Sequence, residues 1–222
     1  MSDAKEILKN ALEKHSPNIA LASSFSMEDI VLIDMLMELD PKARVFALDT
    51  GRLHEETLFC AEQISYKYGL KIEWYFPEKS AVQELIQLKG LYSFKESVEN
   101  RRECCGIRKV EPLNRALSGL DAWITGQRKE QSQTRTELKH QEVDQAHGGI
   151  AKFNPLADWT FADVKEYVNS RGLPYNKLYD SGFPSIGCAP CTRAIKPGEH
   201  ERSGRWWWED PEHKECGLHL GK

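Results

Sequence analysis

Short apolar runs alternate with amphipathic stretches through much of the chain. Asn18 to Ala22 is a compact apolar run that stops at Ser23-Ser24-Phe25-Ser26. Met27 to Leu39 then carries apolar side chains at helical spacing, with Glu28 and Asp29 in its first turn. Arg44 to Leu48 is a second run, closing on Asp49-Thr50-Gly51 before a helical stretch from His54 to Tyr68. Lys71 to Phe76 alternates as a strand does and stops at Pro77, residues 79–89 have a helical pattern, and Ala122 to Thr125 is a further apolar run ending at Gly126. Glu137 to Phe153, with Gly148-Gly149 inside it, reads as a polar hairpin. Thr160 to Ser170 reads as a helix in which Thr160 and Asp163 form a capping box. From Leu173 onward Gly, Pro, aromatic and charged residues leave little periodicity, and Trp206-Trp207-Trp208 reads as packing that anchors this irregular tail.

Strands alternating with helices predict an α/β fold: a parallel sheet with right-handed crossovers and helices on its faces. One domain over 1–222 is expected, with 206–222 as a mobile tail. Ligands of such sheets bind beyond the carboxyl ends of the strands. The loops Ser24-Phe25-Ser26, Asp49-Thr50-Gly51 and Gly126-Gln127-Arg128 should therefore converge on one crevice.

A chain of 222 residues, 40% hydrophobic and 29% charged, can bury a core without covalent staples. It contains no apolar run of about 18 residues and no leader-like start, so a cytoplasmic protein with no membrane partner is expected. In that reducing compartment six cysteines suit metal binding or thiol chemistry better than disulfides, with Cys60 read as core. The net charge of −4 argues against a general nucleic-acid binder. Yet Arg101, Arg102, Arg108, Lys109, Arg128, Lys129, Arg135, Lys139, Arg193, Lys196, Arg202 and Arg205 flank the cysteines, a concentration that points to a small anionic ligand.

Two cysteine pairs, Cys104-Cys105 and Cys188-Ala189-Pro190-Cys191, have the makings of a four-thiolate cage. Side chains of adjacent residues diverge, and a cluster with several metal corners tolerates that better than one zinc ion does. This favours a 4Fe-4S cluster, although sulfur spacing alone leaves zinc open, and a buried pair with a thioredoxin-like dithiol is the bland alternative. Cys216, in Lys214-Glu215-Cys216-Gly217-Leu218-His219, stands apart as a thiol able to reach a substrate. The Ser24-Phe25-Ser26 turn precedes a helix, where N–H groups and the macrodipole favour a phosphate, but a plain N-cap would look the same.

The pattern formed by Ser23-Ser24-Phe25-Ser26, Leu48-Asp49-Thr50-Gly51-Arg52, Cys104-Cys105-Gly106-Ile107-Arg108-Lys109 and Lys214 to His219 resembles the iron-sulfur branch of the phosphoadenylyl-sulfate (PAPS) reductase family, the assimilatory adenylyl-sulfate (APS) reductases. The resemblance implies a Rossmann-like sheet of the adenine nucleotide alpha hydrolase type. In it Ser24-Phe25-Ser26-Met27-Glu28-Asp29 replaces a glycine-rich pyrophosphatase loop. It also implies that Cys216 is the nucleophile, that Cys104, Cys105, Cys188 and Cys191 hold a 4Fe-4S cluster, and that Ser24, Phe25, Ser26, Leu48, Lys109, Gly126, Arg135, Arg202, Arg205 and His219 bind substrate. The implied reaction makes sulfite and AMP from APS through a cysteine S-sulfonate, with thioredoxin or a glutaredoxin-like dithiol as donor. PAPS, or both nucleotides, is the alternative substrate, and the sequence leaves room for a homo-oligomer. A tRNA sulfur-inserting enzyme would want the glycine-rich loop and a basic surface, which the chain lacks. A non-catalytic metal-binding module would not need Cys216.

Overall fold

The computed structural model describes residues 2–131 and 137–210. Six strands form one sheet: β1 (Ile19–Ser23), β2 (Arg44–Leu48), β3 (Glu73–Tyr75), β4 (Ala122–Ile124), β5 (Gln141–Asp144) and β6 (Ile150–Phe153), in the order β3-β2-β1-β4-β6-β5. All neighbours run parallel except β5, which folds back antiparallel on β6. The expected hairpin is therefore present, and its second strand also extends the parallel sheet by pairing with β4.

Alternation along the strands sorts the two faces. Leu21, Val45, Ala47 and Ile124 join a large core with α1 (Ser2–His15), α2 (Met27–Leu39), α3 (Glu55–Tyr68) and α7 (Phe161–Ser170). Ala20, Phe46 and Trp123 point the other way and pack on Leu113, Ala116 and Leu117 of α6 (Glu111–Leu117). Helix α2 is buried from Met27 to Met37, as expected for a helix covered on every side. Its buried Asp34 is satisfied by Tyr68 and Tyr167 hydroxyls at 2.5 and 2.8 Å and by Arg171 at 2.6 Å. Cys60 is core, 1% exposed, and burial pushes its thiol up to about 12.

Two helical regions go beyond the sequence reading. One is α1, whose Ala4, Leu8 and Ala11 are fully buried at helical spacing. The other runs from α5 (Val98–Cys105) through a π-turn at Gly106–Val110 into α6. Between them α4 (Lys79–Lys89) follows β3. Among the described residues no helix is long and apolar enough to cross a membrane.

Candidate functional site

Beyond the carboxyl ends of β1, β2 and β4 lies a cleft of about 240 Å³. The three loops predicted to converge do so: Ser24, Phe25, Ser26, Thr50, Gly126 and Gln127 all line it. Leu48, Lys109, Arg202 and Arg205 complete the candidate set, so eight of the ten residues expected at a substrate site share one cavity. The other two, Arg135 and His219, lie outside the described residues, as does the expected nucleophile Cys216.

The Ser24-Phe25-Ser26 turn differs from an open anion nest. Asp29 Oδ2 accepts from the Ser24 N–H at 2.7 Å, the Ser24 hydroxyl at 2.9 Å and the Ser26 N–H at 3.3 Å. The Phe25 N–H donates to Ser23 Oγ, and the Met27 N–H to the Tyr179 hydroxyl. The backbone donors expected to face a phosphate are thus held by the protein's own oxygens, and the cap reading and the cleft-lining reading are both true of this turn. Phe25 stands at φ 58°, a costly conformation for an aromatic residue, and tilts against Trp74 with ring centroids 5.8 Å apart. Burial raises Asp29 to about 6 against the pull of its Ser24 hydrogen bonds. Gly126 is required by the same carboxylate, because a Cβ there would stand 2.5 Å from Asp29 Oδ1.

Cations and carboxylates both face this cleft. Arg205 is 6% exposed, donates to the Ile186 carbonyl at 3.1 Å, and crowds Gly187, where a Cβ would lie 2.3 Å from its guanidinium. Lys109, in the π-turn, and Arg202 are half-buried at the wall. Arg128, from the third converging loop, is instead fully enclosed, with Nε on Glu28 at 2.8 Å and Nη2 3.7 Å from Glu201. Burial lifts the Glu201 carboxyl to about 7. Not every arginine in the basic concentration therefore serves a ligand. Arg128, Arg101 (on Glu209, 2.6 Å) and Arg193 (on Glu199, 3.3 Å) are paired within the fold.

A second, smaller cavity is lined by all four cage cysteines, Cys104, Cys105, Cys188 and Cys191, with Arg52, Arg101, Arg108, Lys109, Phe94 and Trp206 around them. Cys104 and Cys105 close α5, and Cys188 and Cys191 bracket a short 3-10 turn. Among the described residues no three potential ligands group tightly enough to hold a metal ion. Three buried donors on the wall, Arg52 Nη1, Arg108 Nε and Trp206 Nε1, find no hydrogen-bond partner among the described residues. Burial pushes the Cys104 thiol up and Cys191 to about 12, while Arg108 and Arg52 draw the former down and Lys109 and Arg205 the latter. Four thiols, the cations Arg52, Arg108 and Lys109, and orphaned donors around one cavity suit an anionic thiolate-ligated group.

The two cavities share a wall. Cys188 and Lys109 line both, and the Thr50 hydroxyl lies 3.3 Å from Cys188 Sγ. Arg108 donates to the Thr50 carbonyl at 2.6 Å, holding the β2 loop to the π-turn. The start of the tail, at the tryptophan triplet, is packed as predicted, though unevenly. Trp206 is buried between the Arg101 and Arg205 guanidiniums (4.6 and 4.8 Å to its ring) and Trp208 packs on Phe94, whereas Trp207 is 37% exposed.

The sequence reading names Asp29 only as a first-turn and loop residue, and Tyr179 and Glu201 not at all. Asp29 carries a legible signal, three residues after the capping Ser26. Tyr179 and Glu201 come from the region without periodicity and have none.

Comparison with known proteins agrees with this architecture. Residues 18–194 match the phosphoadenosine phosphosulfate reductase domain. The chain is 52% identical over 208 residues to an adenosine 5'-phosphosulfate reductase of Burkholderia cepacia, covering 94% of this chain and 82% of that one. It is 48% identical over 223 residues to the Neisseria meningitidis serogroup B enzyme of the same name, covering 99% and 90%. The crystal structure of a phosphoadenylyl-sulfate reductase from Candida auris superposes with a TM-score of 0.74 at 29% identity, over 87% of this chain and 90% of that one. The cleft at the strand ends, the cysteine cavity beside it and these similarities together mean that the chain belongs to the phosphoadenosine phosphosulfate reductase family.

Proposed function

We propose that this chain is a cytoplasmic, assimilatory reductase that converts APS to sulfite and AMP, with Cys216 as nucleophile and thioredoxin or a glutaredoxin-like dithiol as electron donor. The observation that carries the reading is the shared wall. The candidate substrate residues line a cleft whose Cys188 and Lys109 also belong to the four-cysteine cavity. In this reading 1–222 acts as one domain, and 206–222 brings Cys216 to the cleft.

Lys109, Arg202 and Arg205 hold the phosphosulfate, and the charge that develops on the departing AMP phosphate is stabilised by these fixed cations. Leu48, Gly126 and the Ser24–Ser26 turn bound the nucleotide. The Cys216 thiolate attacks the sulfuryl sulfur, forming a sulfur–sulfur bond as the sulfur–oxygen bond to AMP breaks. A thiolate of the donor then attacks Cys216 Sγ, sulfite leaves with the electron pair, and the donor's second thiol resolves the mixed disulfide. The donor dithiol thus supplies the two electrons of the reduction. Cys104, Cys105, Cys188 and Cys191 would hold a 4Fe-4S cluster, which supplies a fixed charged centre beside the cleft.

Relatives at 48–52% identity that are named adenosine 5'-phosphosulfate reductases support APS over PAPS. Labelled APS mixed with the protein in the absence of reductant should leave one sulfur label per chain on Cys216, and Cys216→Ser should carry none while retaining its iron. A label-free wild-type chain would refute the mechanism. Turnover with APS and PAPS side by side checks the substrate.

A further inference from the structure

We propose that the exposed apolar face made by Leu88, Leu91, Tyr92 and Trp207 is where the electron donor docks, a dithiol protein of the thioredoxin class. This rests on the functional reading above, because it names the seat of that reading's partner.

The four side chains are 74%, 57%, 61% and 37% exposed. Leu88 is in the last turn of α4, and Leu91 and Tyr92 follow it directly. Trp207 is brought to them by the fold, since the Lys95 ammonium lies 5.6 Å from the Tyr92 ring, 5.5 Å from Trp207 and 5.4 Å from Trp208. Beneath, Phe94 contacts both Tyr92 and Trp208 at ring distances of 5.9 and 6.0 Å, so the face rests on packed side chains. Exposed aromatic side chains at the centre of an apolar patch are the composition of a protein contact.

The choice of occupant follows from chain length. Cys216 is six residues beyond Asp210, so its Cα stays within about 21 Å of that residue's Cα however the segment runs. Trp207 is three residues before Asp210. A protein that attacks Cys216 must therefore seat itself around the root of the tail. Transient redox contacts are small, about 600 Å² a side, so such a partner has a limited choice of surface. Leu58, Phe59 and Tyr66 on α3, Phe76 and Val143 are also exposed, but among the described residues only the Leu88–Trp207 face includes a residue of the tail root itself.

The test separates docking from the sulfur chemistry. Anaerobically purified protein carrying thionitrobenzoate on Cys216 is reduced by thioredoxin or by dithiothreitol, for wild type and for the Leu88→Glu/Tyr92→Ser double variant. The inference expects the second-order rate with thioredoxin to fall at least tenfold and the rate with dithiothreitol to stay within twofold. S-sulfonate formation from APS should also be unchanged, because neither residue lines the cleft. A thioredoxin rate within twofold of wild type would overturn the assignment. So would a concentration-dependent dimer abolished by the variant with thioredoxin reduction unaffected, which would make the face a contact between copies of the chain. If wild type forms no S-sulfonate yet the disulfide rates diverge as expected, the functional reading fails and the docking face stands.

Discussion

A methyl group at position 126 would meet Asp29 Oδ1 at 2.5 Å and Glu28 Cβ at 3.0 Å, both on the first turn of a buried helix that has little room to move. Gly126→Ala should therefore cost about 1–3 kcal/mol of stability, seen as a lower denaturant midpoint, and should raise the KM for APS about tenfold. Glu201 gives a pH signature of definite sign. Its carboxyl is raised from 4.5 to about 7, chiefly by burial, with Glu28 and Glu130 pushing the same way and Arg128 and Arg202 opposing. The folded protein thus holds this proton more tightly than the unfolded chain does. The contribution of Glu201 to stability is fully present below about 4.5 and is lost as pH rises through 7, so Glu201→Gln should make the melting temperature fall less, relative to wild type, between pH 5 and 8. Because the ionised carboxylate also faces the cleft, the KM for an anionic nucleotide should rise across the same interval in wild type and less in the variant. At this scale the sequence reads well where a residue's role is local. Ser26, Gly126 and the four cysteines stand out by type and spacing. It reads poorly where the role is decided by a distant partner. Arg128 looks like a ligand donor until Glu28, a hundred positions away, encloses it.

Elements were legible in proportion to their periodicity. The parallel strands and α2, α3, α4 and α7 announce themselves through runs and spacing, and the capping box of α7 is present as read, with Thr160 Oγ1 accepting from the Asp163 N–H at 3.1 Å. Thr160→Ala should lower stability by about 1 kcal/mol in a denaturant titration without changing turnover, since Thr160 lines neither the cleft nor the cysteine cavity. Helix α5 escaped notice because Glu99, Arg101, Arg102 and Glu103 crowd it with charge, and because its buried positions include Arg101, a residue that pattern reading assigns to solvent. The π-turn that follows is equally invisible in sequence. It matters because it carries Arg108 into the fold and Lys109 to the shared wall.

Over the whole molecule, residues far apart in the sequence build the cleft and the cysteine cavity, and folding places the two side by side. That adjacency has no local signal. It arises because β2 and the π-turn meet through Arg108 and Thr50, and because the irregular stretch after α7 returns across the strand ends. One consequence follows from how that stretch is held. The Trp206 N–H donates to the Cys191 carbonyl, the Arg193 N–H to that of Gly204, and Thr192 bridges Arg205. The backbone that leads out to the terminal thiol is thus stitched to the second cysteine pair. On the proposed function, a newly made chain whose pair has not yet seated also lacks a fixed starting point for Cys216, so filling of the proposed cluster site would come before competence for sulfur transfer.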